Sequence, residues 1–302
     1  MNNTESLKPD FILFAQHGWA DTDRKIQALA QSFAPSEWVI APNLGWFKTW
    51  WRIEPLIQQV EAIAIATLQK YPDTPWRIIG HSMGGLIWVE LLHKHPEWRS
   101  RVHSLILLAS PIGGSDLGRL FDASFMGLGI AKDLGQNRRE MVEEIAKEIP
   151  TFAIAGDIDR GSDGTITVGS TQCDRAQFIA LPISHPELKN HPSLIPLIQT
   201  FWEYPICTSP LKSTLEIELI RELRRIPGVL DAHPRDFYRA KITANLPEGI
   251  TLRTWKNPIN QLQHVFLGDR ENQCLYSAFI TWEKYPEFQQ KLTEILARYS
   301  VN

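Results

Sequence analysis

The segment Gly80-His-Ser-Met-Gly84, continued by Gly85, sets Ser82 between glycines two positions away on each side. The apolar run Trp76-Arg-Ile-Ile79 precedes it and a stretch with helical spacing, residues 83–93, follows. A serine on so sharp a strand-to-helix turn takes strained backbone angles, and the flanking glycines let strand and helix come close. The turn lifts the hydroxyl clear of the sheet. It also leaves the Met83 amide at a helix N-terminus, aimed at any negative charge that develops on a bound carbonyl oxygen. Upstream, FILFAQHGWAD puts His17-Gly18 at the end of another apolar run, and the Trp19 amide is the candidate for a second such donor. Residues of these types at this spacing point to acyl chemistry at Ser82.

A serine hydroxyl is a weak nucleophile near neutral pH and needs a base, itself oriented by an acid. Nine histidines are available. His81 lies inside the turn, and His93, His95 and His103 fall at a helix end and a strand start, at the opposite edge of the sheet. His185 and His191 lie in LPISHPELKNHP, the loop that returns over the serine after the last strand of the α/β part. His185 is preferred because it is nearer the strand end, whereas His191 stands at the start of the next helix. The acid comes from GDIDRGSDGTITV, residues 156–168. A calcium loop fails there, since Gly161 occupies the third ligand position and Val168 the place of the closing glutamate. Asp157, Asp159 and Asp163 therefore compete. Asp163 is preferred because the apolar stretch just after it can pin its carboxylate, while Asp157 and Asp159 suit turn hydrogen bonds.

Positioning these groups requires a particular succession of elements. Residues 11–15, 37–41, 76–79, 102–109, 151–155 and 177–181 read as buried strands, and 23–33, 53–69, 83–93 and 193–202 as helices. Strands alternating with helices mean parallel pairing, an α/β sheet with helices on both faces. Residues 111–150 are too long for an ordinary connection and read as a helical cap insertion with a charged helix at 138–148. After Trp202 the texture changes. YPICTSPLKS reads as a linker, a helix is expected at 215–225, strands at 237–243, 251–255, 261–267 and 274–282, and a final helix at 286–299. The expected division is 1–205 for the α/β domain and 206–302 for a small C-terminal α+β module.

The bulk composition excludes other classes. The 302 residues are 43% hydrophobic and 22% charged, with a net charge of −3, which describes an ordinary globular protein. No run of Lys or Arg exceeds two residues, so nucleic acid is not an expected partner. Three widely spaced cysteines, without a CxxC pair, support neither a disulfide framework nor a metal site, and no cofactor is expected. The polar start MNNTESLKPD lacks the pattern of a signal peptide, no apolar run is long enough to cross a bilayer, and the expected location is cytoplasmic.

HGWAD, GHSMGG, ASPIGGS (109–115), SDGTITV and ISHPEL together resemble segments of the α/β-hydrolase superfamily, most nearly its lipase and esterase branch. The chain order Ser82, Asp163, His185 is that of these enzymes. In ASPIGGS, Ser110 and Ile112 replace the Thr and His usual in that segment of many lipases. The resemblance covers roughly residues 10–204. It implies Ser82 as acyl nucleophile, His185 as base and then acid, Asp163 as its orienter, and the Trp19 and Met83 amides as oxyanion hole. It also implies an ester substrate, small or lipid, a thioester or acyl-transfer reaction being the alternative within the same chemistry. A non-catalytic binding protein on the same scaffold is the alternative outside it. Apolar residues of the insertion, Phe121 and Phe125 among them, suit an acyl chain or a lipid surface, or else pack the cap onto the core. Trp46, in GWFKTWW (45–51), belongs either to the pocket rim, with peripheral lipid contact, or to packing under a long loop.

Overall fold

Every residue of Ile12–Gln16 (β1) is buried, and its side chains divide between two cores. Ile12 and Phe14 join one cluster with Trp76 and Ile78, while Leu13 and Ala15 join another with Ile79 and Ile106. Strands so fully buried are stable only when both faces are covered, which is the signature of a parallel sheet between helices. The computed structural model describes residues 9–114, 129–259, 261–280 and 282–299. Within them, β1, Val39–Ile40 (β2), Trp76–His81 (β3), Val102–Leu108 (β4), Thr151–Gly156 (β5) and Gln177–Leu181 (β6) form one sheet in the order β2-β1-β3-β4-β5-β6. All five pairings are parallel. Glu54–Lys70 (α2) and Met83–Lys94 (α3) pack on the Phe14 face, and Arg24–Gln31 (α1) supplies Ile26, Leu29 and Ala30 to the other.

The order has a functional consequence. Chain progression from β1 runs to β2 on one side and then back to β3 on the other, so the strand order reverses between β1 and β3. At such a switch point the loops leaving the two carboxyl ends diverge and open a crevice. The loops after β1 and β3 are those that carry Trp19 and Ser82.

The insertion between β4 and β5 contains Ile130–Leu134 (α4) and Arg139–Ile145 (α5), so the expected charged helix is real but shorter. Phe121 and Phe125 lie outside the described residues. Leu194–Glu203 (α6) follows β6 and packs Leu194, Ile198 and Phe201 on the Leu13 face.

Residues 205–214 contain no helix or strand. Beyond them, Leu215–Arg225 (α7) begins where the Thr214 hydroxyl accepts the Ile217 amide at 3.3 Å. Glu216 and Glu218 sit in its first turn and Arg224 and Arg225 in its last, complementing the helix dipole at both ends. A separate antiparallel sheet follows, built from Val229–Asp231 (β7), Lys241–Asn245 (β8), Thr251–Lys256 (β9), Gln263–Gly268 (β10) and Cys274–Ile280 (β11), in the order β7-β11-β10-β9-β8. Leu219 and Leu223 of α7 and Phe288, Leu292 and Ile295 of Tyr285–Tyr299 (α8) cover one face of it. No helix among the described residues is long and apolar enough to cross a membrane.

Three expectations are corrected. Residues 37–41 give only the two-residue β2, because Ser36–Trp38 winds into a 3₁₀ turn and this edge strand meets β1 at just two positions. Most of 237–243 is not strand: Pro234–Arg239 is a 3₁₀ segment whose start is capped by His233, and the pattern misled because Phe237 is buried under the sheet. β7, too short to show a period, was not expected and pairs with β11.

Candidate active site

β3 runs straight into α3 through Ser82, which has φ 54° and ψ −126°. This is a non-glycine residue in a sparsely populated region, a conformation that persists only where the surroundings impose it. They do so from three sides. The Ser82 amide donates to Leu108 O of β4 at 2.8 Å. A Cβ at Gly80 would lie 2.4 Å from the Gly85 Cα, so strand and helix cross at a distance only glycines allow. A Cβ at Gly18 would lie 2.8 Å from the Ser82 Cβ and 3.3 Å from the Met83 nitrogen. The loop after β1 is thus pressed against the turn, and the Trp19 and Met83 backbones belong to neighbouring segments of the same rim. Met83 opens α3, so its amide is one of those a helix cannot satisfy internally.

His17 stabilises that loop. Its Nε2 accepts the Leu44 amide at 3.0 Å, which leaves the proton on Nδ1, where it is donated to Gly18 O at 2.9 Å. Both ring nitrogens serve the backbone, and burial lowers the pKa of the ring.

The acid loop leaves β5 at Gly156, and its three aspartates have different partners. Asp157 accepts the Gly161 amide at 2.8 Å, and Asp159 accepts the amide and hydroxyl of Ser162 at 2.8 and 3.0 Å. Asp163 Oδ1 takes the amides of Thr165 and Ile166 at 2.9 and 2.6 Å, while its Oδ2 receives His185 Nδ1 at 2.7 Å. The Asp163 carboxylate is buried, with a side-chain exposure of 1%, and the His185 ring retains 13%. The His185 amide also donates to Asp163 O at 3.0 Å, so backbone and side chain join the two loops. With Nδ1–H given to the carboxylate, Nε2 carries the lone pair, and it has no hydrogen-bond partner among the described residues. His191 takes no part: its Nδ1 bonds Ser193 Oγ at 2.8 Å, at the start of α6.

His81, inside the strand-to-helix turn, performs a task not evident in the sequence. Its Nε2 donates to His185 O at 3.0 Å, and the two rings lie 4.7 Å apart. Because a carbonyl only accepts, the proton is on Nε2 and the buried Nδ1 is an acceptor without a partner among the described residues. Burial, then the neighbouring His185 charge, holds the His81 pKa well below that of an ordinary histidine. Lys189 pairs with Asp21 at 2.7 Å and ties the His185 loop to the loop after β1. Ser110, after β4, fills the space above Gly85.

Trp46 contacts Phe47 and Trp50 at ring distances of 4.9 and 5.4 Å, and Trp50 lies 4.4 Å from Trp19. The aromatic segment therefore adjoins the loop after β1. Trp46, Phe47 and Trp51 are 43%, 79% and 76% exposed, whereas Trp50 is half-buried against Trp19.

Residues 26–160 match the family profile described as alpha/beta hydrolase fold, a span that includes Ser82 and stops short of Asp163 and His185. No curated protein matches the chain. Among solved structures, the lipase BlEst2 of Bacillus licheniformis in its propeptide form is similar at a TM-score of 0.52 and 13% identity, over 91% of this chain and 69% of that one. The mature form of the same lipase aligns with 66% of this chain and 93% of its own, at a TM-score of 0.46 and 17% identity. Phospholipase PlaB from Legionella pneumophila aligns at a TM-score of 0.42 and 17% identity over 54% of this chain, which spans 44% of that phospholipase. Sheet order, strained serine turn and profile agree: the chain is an α/β-hydrolase-fold protein, with a separate antiparallel sheet added at its C-terminal side.

Proposed function

We propose that the chain is a serine hydrolase that cleaves carboxylic esters through Ser82, His185 and Asp163. The observation that carries the reading is the 2.7 Å bond from His185 Nδ1 to a buried Asp163, which leaves Nε2 as a base on the loop beyond β6. In this reading Nε2 takes the Ser82 proton as Oγ attacks the ester carbonyl. The oxygen that becomes negative is met by the Trp19 and Met83 amides. Collapse of the tetrahedral intermediate breaks the bond to the alcohol, which leaves with the proton held on Nε2. Water, deprotonated by the same nitrogen, then releases the acid from the acyl-enzyme. Asp163 remains ionised throughout and fixes the tautomer.

An apolar acyl group suits the surroundings. Trp46 is assigned to the acyl side of the site, and the exposed Phe47 and Trp51 to contact with a lipid surface. The lipase among the similar structures is consistent with such a substrate. The test is pre-steady-state hydrolysis of p-nitrophenyl esters of graded chain length. A burst of p-nitrophenol is expected in the native protein and none in Ser82→Ala. Unchanged turnover in that variant removes the reading, and faster product release with added alcohols or thiols would identify acyl transfer.

A further inference from the structure

We propose that the C-terminal α+β unit is a positioning element for the catalytic acid, holding the loop that carries Asp163 through His233 at one end and through the Asp231–Arg224 pair at the other. The proposal rests on the triad reading above and gives residues 206–302 a task in it. The acid loop behaves as a small hairpin. Ser162 bridges to Thr167, the Val168 amide donates to Gly161 O at 2.9 Å, and Asp163 sits just beyond that bridge. Wherever the base of the hairpin goes, the Asp163 carboxylate follows.

Groups from the C-terminal unit reach both sides of that base. On the near side, His233 Nδ1 accepts the Arg235 amide at 3.0 Å, so Nε2 bears the proton and donates it to Asp159 Oδ1 at 3.1 Å. The same carboxylate oxygen receives the Ser162 amide, one residue before Asp163. Pro234 closes against the loop so tightly that a Cβ at Gly161 would lie 2.6 Å from its Cδ. On the far side, Arg224 Nη2 donates to Gly169 O at 3.3 Å and its Nε to Asp231 Oδ1 at 3.3 Å. Arg139 of α5 completes the junction by donating to Gly169 O at 2.7 Å and to Asp231 Oδ2. Asp231 is 3% exposed and is shared by cations from the cap and from the C-terminal unit. His233 is itself fixed, since its carbonyl accepts the Ser277 hydroxyl of β11 at 3.2 Å. The antiparallel sheet is thus connected to the triad acid through a few short bonds.

The experiment uses full-length His233→Ala and His233→Gln, the glutamine amide replacing the donor to Asp159. In His233→Ala, kcat for a short p-nitrophenyl ester is expected to fall about tenfold, since small misplacements of catalytic groups are costly. KM should stay within about twofold, because the loss falls on the transition state. The low-field NMR resonance of the His185 Nδ1 proton should broaden and the Thr165 and Ile166 amides should exchange faster. His233→Gln should recover all of these. Unchanged kcat and resonance in His233→Ala, a glutamine variant as impaired as the alanine one, or a rise in kcat would each overturn the proposal. If Ser82→Ala stays active, the ester reading fails by itself. The resonance and the amide exchange then still report whether the C-terminal unit holds the loop.

Discussion

Asp157, Asp159 and Asp163 share one loop, yet Asp157 serves a local turn, Asp159 a turn and His233, and only Asp163 meets the imidazole of the loop after β6. The distinction predicts an ordered set of defects. Asp163→Asn should lower kcat by about 10⁴-fold, the size of the same replacement in other Ser-His-Asp sites, because the amide stabilises the wrong tautomer. Asp157→Asn, whose amide oxygen can still accept the Gly161 amide, should keep turnover within about tenfold. Steady-state kinetics of the two variants decides it, and equal losses would reject Asp163 as the orienting acid. At this scale the bond between Asp163 and His185 was legible because strand ends and turn chemistry constrain where a side chain goes. The tasks of His81 and His233 were not. His81 Nε2 finds its acceptor 104 residues away, and His233 Nε2 finds its own 74 residues away, so no local pattern records either bond.

The strand-to-helix turn was the most legible element, because glycine at fixed positions has a steric cause that spacing reveals. That cause separates two similar substitutions. A Cβ at Gly80 meets the Gly85 backbone at 2.4 Å, whereas one at Gly85 meets the Ser110 hydroxyl at 2.1 Å and, at 2.9 Å, a Leu107 methyl and the Ser110 Cβ, which only a small shift of Ser110 relieves. These can give way and the main chain of Gly85 cannot. Gly85→Ala should therefore cost about 1–3 kcal/mol, the ordinary range for overpacking, and Gly80→Ala more than that. Urea unfolding of both variants checks the order, and a milder Gly80→Ala would contradict the close crossing of β3 and α3. The less legible elements were the short ones. β2 and β7, of two and three residues, are defined by their pairing partners rather than by any period of their own. Phe237, an aromatic in a run that looked like strand, is buried from a 3₁₀ turn instead.

At the scale of the whole molecule, the histidines make stability depend on pH. Burial lowers the pKa of His17, His81 and His103 in the folded chain. As pH falls below about 6.5, the unfolded chain takes up protons that these three refuse, so their contribution is present above that value and is lost on acidification. His95 acts oppositely: burial lowers its pKa, but bonds to Glu61 and Glu97 outweigh that and raise it. Its contribution is present below about 6.5 and fades as pH rises through the folded value. Glu61 and Glu97 are held below the usual carboxylate range and titrate under this window. Three against one, the melting temperature should be lower at pH 5 than at pH 7. Circular dichroism melts at intervals across that range would detect it, and a higher value at pH 5 would contradict the neutral buried state of these rings. The overall α/β architecture was readable because a covered parallel sheet demands long apolar strands. How the second sheet docks was not, since its buried junction is made of arginines and an aspartate that in sequence look like ordinary surface charges.

One carboxylate at position 231 answers two guanidinium groups, one from each side of the junction. Neither half is therefore a free module to be cut out and grafted elsewhere. A chain shortened at 205 would keep Arg139 without its counter-charge, and an isolated antiparallel sheet would present Asp231 and Arg224 to water along with the surface meant to be hidden. Recombination between relatives would have to carry both sides together, as a lock travels with its key.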